Sequence, residues 1–193
     1  MSKTTKIIAT LGVVAGLGVA ALPMGAFAAD SAATQEVEVT VTIGESISIA
    51  IDGDGTGTYT DPNISVDMEQ NSISEDQYST ISISTNSENG YKLTVKDSDD
   101  NTSLLNADDG VSTIPAGTSI AAGTAAWAIK GGLLTDYTAM VASDAEALVL
   151  AERDSATDGL ETTTINYGFS TAPSQEQGAY KDTIVYTATK NIN

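Results

Sequence analysis

The loop that begins at Asp52 carries the residues best suited to bind a metal ion. Asp52, Asp54 and Thr56 occupy alternate positions and Gly57 falls sixth, which is the spacing of an EF-hand-type calcium loop. Alternate spacing lets successive oxygens converge on one hard cation. The twelfth position is Asn63, where such a loop needs a bidentate Glu. We therefore predict Asp52, Asp54 and Thr56 as candidate calcium ligands, with a plain Gly/Asp turn as the simpler interpretation.

A second acidic loop offers the same chemistry. Asp97, Asp99 and Asn101 alternate in the same way, and Asp108-Asp109 lies a few residues further on. These three residues are the alternative set of candidate metal ligands, and an ordinary turn again competes with that interpretation. The sequence indicates no cofactor other than this possible Ca²⁺.

The chain lacks the residues on which most catalytic sites depend. Cysteine and histidine are both absent. Their absence excludes a thiol nucleophile, a zinc–thiolate site and an iron–sulfur cluster, and it removes the commonest general base. Paired carboxylates could hydrolyse glycosides, and Ser–Lys pairs are not excluded, but an acidic chain supplies carboxylate pairs by chance. We therefore expect no catalytic residues and no enzymatic activity.

The charge balance is strongly acidic. The chain has 26 Asp and Glu against 8 Lys and Arg, for a net charge of −18. We therefore expect no nucleic-acid partner, because phosphate binding needs basic patches. The charge keeps a surface soluble and self-repelling, and cation binding is the alternative interpretation.

The N-terminus has the pattern of an export signal. Lys3 and Lys6 precede the apolar run of residues 7–22, and Ala26-Phe27-Ala28 supplies small residues at a cleavage site. We predict a signal peptide over residues 1–28, with no membrane span left after cleavage. Residues 29–35 form a predicted flexible linker, and residues 36–193 form a predicted single domain.

Alternation of apolar and polar residues dominates the chain after the linker, as is typical of half-buried strands. Residues 36–43 carry it in one regular run. Residues 161–191 carry it in two runs, which we expect to form a hairpin at the centre of the core. Asn89-Gly90 precedes another such run and predicts a second hairpin, because both residues tolerate positive φ. A further short strand is predicted around Ile64, Val66 and Met68.

These patterns predict an all-β fold class, an antiparallel β-sandwich of Ig-like or jelly-roll-like type with about eight to ten strands. A closed barrel is the alternative. Residues 143–153 are ambiguous: Ser143 and Glu146 fit a capping box for one short helix, whereas Leu148-Val149-Leu150 fits a strand.

The large apolar residues of this pattern are expected in the core. Trp127 is the only tryptophan, and it could stack on a sugar. A lone tryptophan in a sandwich strand is more typical of the core. We therefore predict that a set of five residues is buried: Trp127, Tyr167, Phe169, Ile184 and Tyr186.

Two stretches resemble a known family. Residues 178–189, Gly-Ala-Tyr-Lys-Asp-Thr-Ile-Val-Tyr-Thr-Ala-Thr, resemble the closing strand of secreted bacterial surface domains, and residues 89–95 resemble an N-G-Y-x-L-x-V strand of the same proteins. With Trp127 midway, the order is similar to that of WxL-like cell-surface domains. Ile129 stands where that family has Leu, and Tyr186-Thr-Ala188 stands where a second Trp-x-Leu would be. The resemblance implies a cell-wall-associated β-sandwich.

Two functional hypotheses follow. The first is a secreted or cell-surface structural and interaction module, for adhesion or assembly, whose partner is a cell-wall component or another surface protein. In that role residues 36–43 could add as a strand to another chain, or they could pair within their own domain. The alternative is a carbohydrate- or calcium-binding module. In either case we expect an extracellular location associated with the cell surface.

Overall fold

A computed structural model describes residues 43–53 and 62–192, and these residues form strands, turns and loops without any helix. The predicted all-β fold is therefore confirmed. Over the same residues, no helix is long and apolar enough to span a membrane. The strands number eleven in this part of the chain: β1 (Ile47–Asp52), β2 (Ile73–Thr85), β3 (Tyr91–Asp97), β4 (Leu104–Asn106), β5 (Thr113–Ile114), β6 (Ala126–Gly131), β7 (Leu134–Thr138), β8 (Leu148–Arg153), β9 (Glu161–Ser170), β10 (Tyr180–Lys181) and β11 (Ile184–Lys190).

The larger sheet has five strands in the order β1-β2-β9-β6-β7. Its centre is the antiparallel pair β2–β9, which runs from Ile73 opposite Ser170 to Ile83 opposite Glu161. The alternation predicted for β9 is present, since Ile165, Tyr167 and Phe169 are all buried. Their period of two places them on one face of the sheet, toward the core.

Two three-stranded sheets, β11-β3-β8 and β10-β4-β5, lie end to end. β10 leads into β11 after the two residues Asp182 and Thr183, and β3 leads into β4 after a short loop. The amide of Ser98 donates to the carbonyl of Thr183 at 2.9 Å, which ties the two strand breaks together. All strand pairs in the described residues are antiparallel, apart from an isolated parallel bridge between Ala116 and Trp127.

The inner faces of these sheets share one apolar core. Ile81, Ile129 and Ile165 of the large sheet and Leu93 and Leu150 of the β11-β3-β8 sheet are almost completely buried. No sheet of the described residues closes on itself, because each ends in strands that pair on one side only. The fold is thus an open, sandwich-like arrangement, and the closed alternative is excluded.

Both predicted hairpins are wrong. Asn89-Gly90 does form a turn, with φ of 75° at Gly90 and its amide donating to the carbonyl of Ser87 at 3.0 Å. However, β2 and β3 belong to different sheets, so the turn carries the chain between sheets. β9 and β11 are likewise in different sheets. Alternation specifies which face of a strand is buried, but it does not specify which other strand pairs with it.

The helix considered for residues 143–153 is also wrong. Residues 148–153 form β8, which pairs with β3, and Leu150 is fully buried. The Ser143 hydroxyl donates to Asp100 Oδ1 at 2.7 Å, and Lys96 Nζ donates to the carbonyl of Ser143 at 2.5 Å. Sheet pairing and burial here outweigh the local helix propensity.

Three sequence predictions lie outside the described residues. These are the signal peptide over residues 1–28, the linker over residues 29–35 and the strand over residues 36–43, of which the structure describes Ile43 alone. Ile43 is 82% exposed.

Candidate functional site

A groove of about 1340 Å³ opens between the sheets. One wall is the run of residues 62–70, and the other is the run of residues 175–186, which contains β10 and the start of β11. Apolar side chains form its floor: Leu104, Ile114, Trp127, Tyr167 and Phe169.

The first wall has no regular secondary structure and belongs to no sheet in the described part of the protein. Ile64, Val66 and Met68 are partly buried and pack against the core, so the apolar residues of the alternation do face inward. The short strand predicted for them is wrong, because the segment pairs with no strand of the described residues. At the end of this wall, Gln70 Nε2 donates to the carbonyl of Gln175 at 2.6 Å. The segment therefore covers the core without the ladder of hydrogen bonds that a strand has.

The second wall is the edge of a sheet. Within the described residues, β10 pairs with β4 alone and β11 pairs with β3 alone. Ile184 and Tyr186 of β11 line the groove and are only partly buried, so the prediction that they are buried core residues is wrong for these two. They stay partly accessible because the groove lies over them.

The floor is held in place by hydrogen bonds. Trp127 is 2% exposed, and its indole Nε1 donates to the carbonyl of Thr102 at 2.9 Å. The Tyr167 hydroxyl lies 2.9 Å from Ser79 Oγ and 2.7 Å from the Tyr186 hydroxyl. Burial raises the pKa of both tyrosines, so both stay uncharged at neutral pH. The predicted burial of Trp127, Tyr167 and Phe169 is confirmed.

The second feature of interest is a pair of aspartates where β10, β11, β3 and β4 meet. Asp97 ends β3 and is fully buried, and Asp182 lies in the break between β10 and β11. The Oδ2 atoms of both side chains are inaccessible to solvent and have no hydrogen-bond partner in the described residues. Asp97 and Asp182 are called the aspartate pair below.

Burial, together with the carboxyl group of Asp97, raises the pKa of Asp182. Burial, followed by interaction with Asp97 and then Asp99, raises the pKa of Asp182 to about 7, although the Thr183 amide donates to its Oδ1 at 2.6 Å. A carboxylate without a nearby cation and with a second carboxylate beside it resists ionisation. The pair therefore needs either a proton or a cation between its oxygens.

The loop after Asp97 has the alternating geometry that the sequence predicts. The amide of Asp99 donates to Asp97 Oδ1 at 3.0 Å, that of Asn101 to Asp99 Oδ1 at 2.7 Å, and that of Ser103 to Asn101 Oδ1 at 3.2 Å. Asp99, Asn101 and Asp182 line one small pocket of about 260 Å³. The alternative set of predicted ligands thus lies in one loop, beside an aspartate that the sequence analysis did not select.

Asp109 belongs to a separate turn. Its Oδ1 accepts the amides of Val111 and Ser112 at 2.7 and 2.9 Å, and its Oδ2 accepts the Ser112 hydroxyl at 2.6 Å. The Ser112 hydroxyl, followed by these amides, lowers the pKa of Asp109. The residue stabilises its own turn.

The first predicted calcium loop is only partly described. Asp52 ends β1 and is 2% exposed, whereas Asp54 and Thr56 lie outside the described residues. Over residues 43–53 and 62–192, no three His, Cys, Asp or Glu residues form a group that could hold a metal ion by themselves.

A sequence signal for the aspartate pair did exist. Asp97 follows Tyr91, Leu93 and Val95 at the same parity, so it occupies an inward-facing position of an amphipathic strand. Asp182 falls between Tyr180 and Ile184 at their parity. An acidic residue at an apolar position of the alternation costs free energy unless it has a partner, and such a residue is therefore a candidate site.

Comparison with known proteins does not assign the chain to a family. No protein-family model matches the chain, and no curated protein sequence matches it significantly.

Proposed function

We propose that this protein is an exported, non-catalytic structural and interaction module of the cell surface that assembles by strand addition. The observation that carries the proposal is the groove, which combines an apolar floor with the one-sided sheet edge of β10 and β11. Export is supported by the signal pattern of residues 1–28, and a non-catalytic role is supported by the lack of His and Cys.

The groove suits an extended peptide. In strand addition, the main chain of a peptide pairs with a free sheet edge while alternate side chains enter apolar pockets. Here the edge is the second wall, and the floor presents Trp127, Tyr167 and Phe169 to inward-facing side chains. Residues 180–186 span roughly 20 Å at the rise of an extended chain, which fits a strand of about six or seven residues.

The occupant that we propose is the 36–43 segment of a second copy of this chain. Val37, Val39, Val41 and Ile43 place an apolar side chain at every second position, and Glu and Thr alternate with them. The apolar face would enter the groove and the polar face would remain in water, which is the pattern that strand addition requires.

A second copy fits better than the chain's own segment because of where that segment joins the domain. Glu45 pairs with Lys190 at 3.0 Å, at the end of β11 that is remote from the groove, whereas Ile51 lines the groove. To reach its own groove, the segment would have to reverse at Gly44 and return roughly 13 Å along β11 to Tyr186. A turn and that return would consume most of the segment.

The experiment compares the chain that starts at Ala29 with a variant that lacks residues 29–43. We expect the longer chain to form oligomers in light scattering and the shorter one to be monomeric, with an unchanged circular-dichroism spectrum. A synthetic peptide of residues 36–43 should bind the shortened protein, and a control peptide carrying Val39→Asp should not bind. Global unfolding of the shortened protein would instead show that the segment is part of its own core.

Location is tested separately, by fractionating the producing cells and identifying the proteins that co-elute. We expect the protein outside the cell, in the cell-wall fraction and together with copies of itself. If the groove bound a wall polysaccharide and ignored the peptide, the carbohydrate-binding alternative would replace assembly. Hydrolysis of a polysaccharide or peptide that one carboxylate substitution abolishes would contradict the non-catalytic role.

A further inference from the structure

We propose that Asp97 and Asp182 bind a divalent cation of the calcium type at the junction of the two three-stranded sheets. The proposal does not depend on assembly by strand addition. It rests on two carboxylate oxygens, Asp97 Oδ2 and Asp182 Oδ2, that are inaccessible to water and lack a donor among the described residues. The two residues are neighbours because Asp97 pairs with Ile184 in the β3–β11 ladder and the Ser98 amide donates to the carbonyl of Thr183 at 2.9 Å.

The first argument is the cost of the pair as it stands. Asp97 Oδ2 and Asp182 Oδ2 are both inaccessible to water and without a hydrogen-bond donor among the described residues. Each carboxylate accepts a backbone amide through its Oδ1, but its second oxygen is buried without a donor or a counter-charge. Burying a charged oxygen in this way is costly, and two neighbouring carboxylates also repel each other. Such an arrangement is maintained when a positive charge sits between the oxygens.

No side chain among residues 43–53 and 62–192 supplies that positive charge. The described residues contain three ion pairs, Lys92–Glu152, Arg153–Glu161 and Lys190–Glu45, and neither aspartate belongs to one. Lys181 lines the pocket next to Asp182 without forming an ion pair with it, and the Lys96 ammonium donates to the carbonyl of Ser143. We therefore expect the charge to come from a bound cation.

A shared proton is the competing explanation, and the surroundings disfavour it. One proton removes one negative charge, whereas Asp99 adds a third carboxylate close enough to raise the pKa of Asp182. The whole chain carries a charge of −18 at pH 7, which raises the local concentration of divalent cations. A divalent ion neutralises both carboxylates of the pair at once.

The neighbouring atoms suit a hard cation that prefers oxygen. Calcium takes six to eight oxygens from carboxylates, amide and backbone carbonyls and water. The pocket beside the pair is lined by Asp99, Asn101 and Thr183, and its volume of about 260 Å³ has room for bound water. Because two carboxylates carry the charge and neutral oxygens complete the shell, we expect binding in the range of extracellular modules, about 0.1–1 mM.

The site also has a structural consequence. Asp182 and Thr183 line the groove as well as the small pocket, so a cation there would fix the point where β10 continues into β11. We expect calcium to raise the thermal stability of the domain, because anything that binds only the folded state stabilises it.

The test measures melting temperature by the fluorescence of Trp127, after removal of metals, in increasing CaCl₂ and in NaCl of matched ionic strength. We expect a rise with calcium that saturates and that NaCl does not reproduce. Asp182→Asn should abolish the rise. Asp108→Asn, the same charge change in an exposed turn, should keep it, and calorimetric titration should give one site that Asp182→Asn removes.

Three outcomes would overturn the proposal. The first is an equal rise of the melting temperature in NaCl, which would show that calcium acts only by screening the negative charge. The second is a calcium effect that survives Asp182→Asn and is lost in Asp54→Asn, which would place the site in the loop after β1. The third is no calcium effect together with stabilisation on lowering the pH from 7 to 5, which would mean that the pair shares a proton.

Discussion

The hydroxyl of Tyr167 on β9 lies 2.7 Å from the hydroxyl of Tyr186 on β11, and this contact joins the large sheet to the opposite one. Ser79 Oγ on β2 lies 2.9 Å from the same Tyr167 hydroxyl, so three side chains form one chain of hydrogen bonds, buried at Ser79 and partly buried at Tyr186. The bond fixes the spacing of the sheets where the groove begins. Burial raises the pKa of both tyrosines, so these two side chains of the groove stay uncharged near neutral pH.

The first prediction removes this bond. Tyr186→Phe deletes one hydroxyl and should lower the free energy of unfolding by about 1 kcal/mol, because a typical buried hydrogen bond contributes that much. Urea denaturation measures the change. Tyr78→Phe is the matched control, since Tyr78 is 42% exposed and should give no measurable loss. Equal effects of the two substitutions would mean that the bridge between the sheets contributes nothing to stability.

The second prediction concerns alkaline pH. Burial, followed by the charge of Glu161, raises the pKa of Tyr91 to about 12, above its ordinary value of 10.0. Because the folded pKa is raised, the stability that Tyr91 contributes is fully present below pH 10 and is lost as the pH rises through about 12. Unfolding free energies measured across this interval should fall less steeply for Tyr91→Phe than for the natural chain. If the free energy of unfolding falls equally steeply with pH in both proteins, the raised pKa of Tyr91 is contradicted.

The third prediction compares two isoleucines on facing strands. Ile165 is fully buried, so Ile165→Ala should cost about 2–5 kcal/mol through lost burial and the cavity left behind. Ile184 is only partly buried beside the groove, so Ile184→Ala should cost clearly less in the monomer. Ile73→Ala is the exposed control, at 46% exposure. A larger loss for Ile184 would mean that the groove is closed in solution.

The fourth prediction concerns the N-terminus. Ala26 and Ala28 are the small residues that a signal peptidase requires, so the exported chain should begin at Ala29. Mass spectrometry of protein recovered outside the cells measures this directly. An intact Met1, or a first residue well past Ser31, would contradict it. A variant with Ala28→Leu should be processed poorly, because a bulky residue blocks the cleavage position.

Local alternation determined which residues face the core. Leu93 and Val95 on β3 and Ile165, Tyr167 and Phe169 on β9 are buried as their period of two predicts. This works from sequence alone because successive side chains of a strand point to opposite faces, whatever strand lies beside it. The absence of His and Cys likewise limits the possible chemistry, whatever the fold.

Strand pairing was decided only by the tertiary structure. The turn at Asn89-Gly90 is present, yet it joins two sheets, and residues 148–153 form a strand because β3 lies beside them. Asp182 is 85 positions from Asp97 in the chain, and Ile184 pairs with Asp97 only once β11 lies against β3. Partner choice depends on the free energy of the whole packed arrangement, to which distant residues contribute, and the pattern within one strand is the same for several partners.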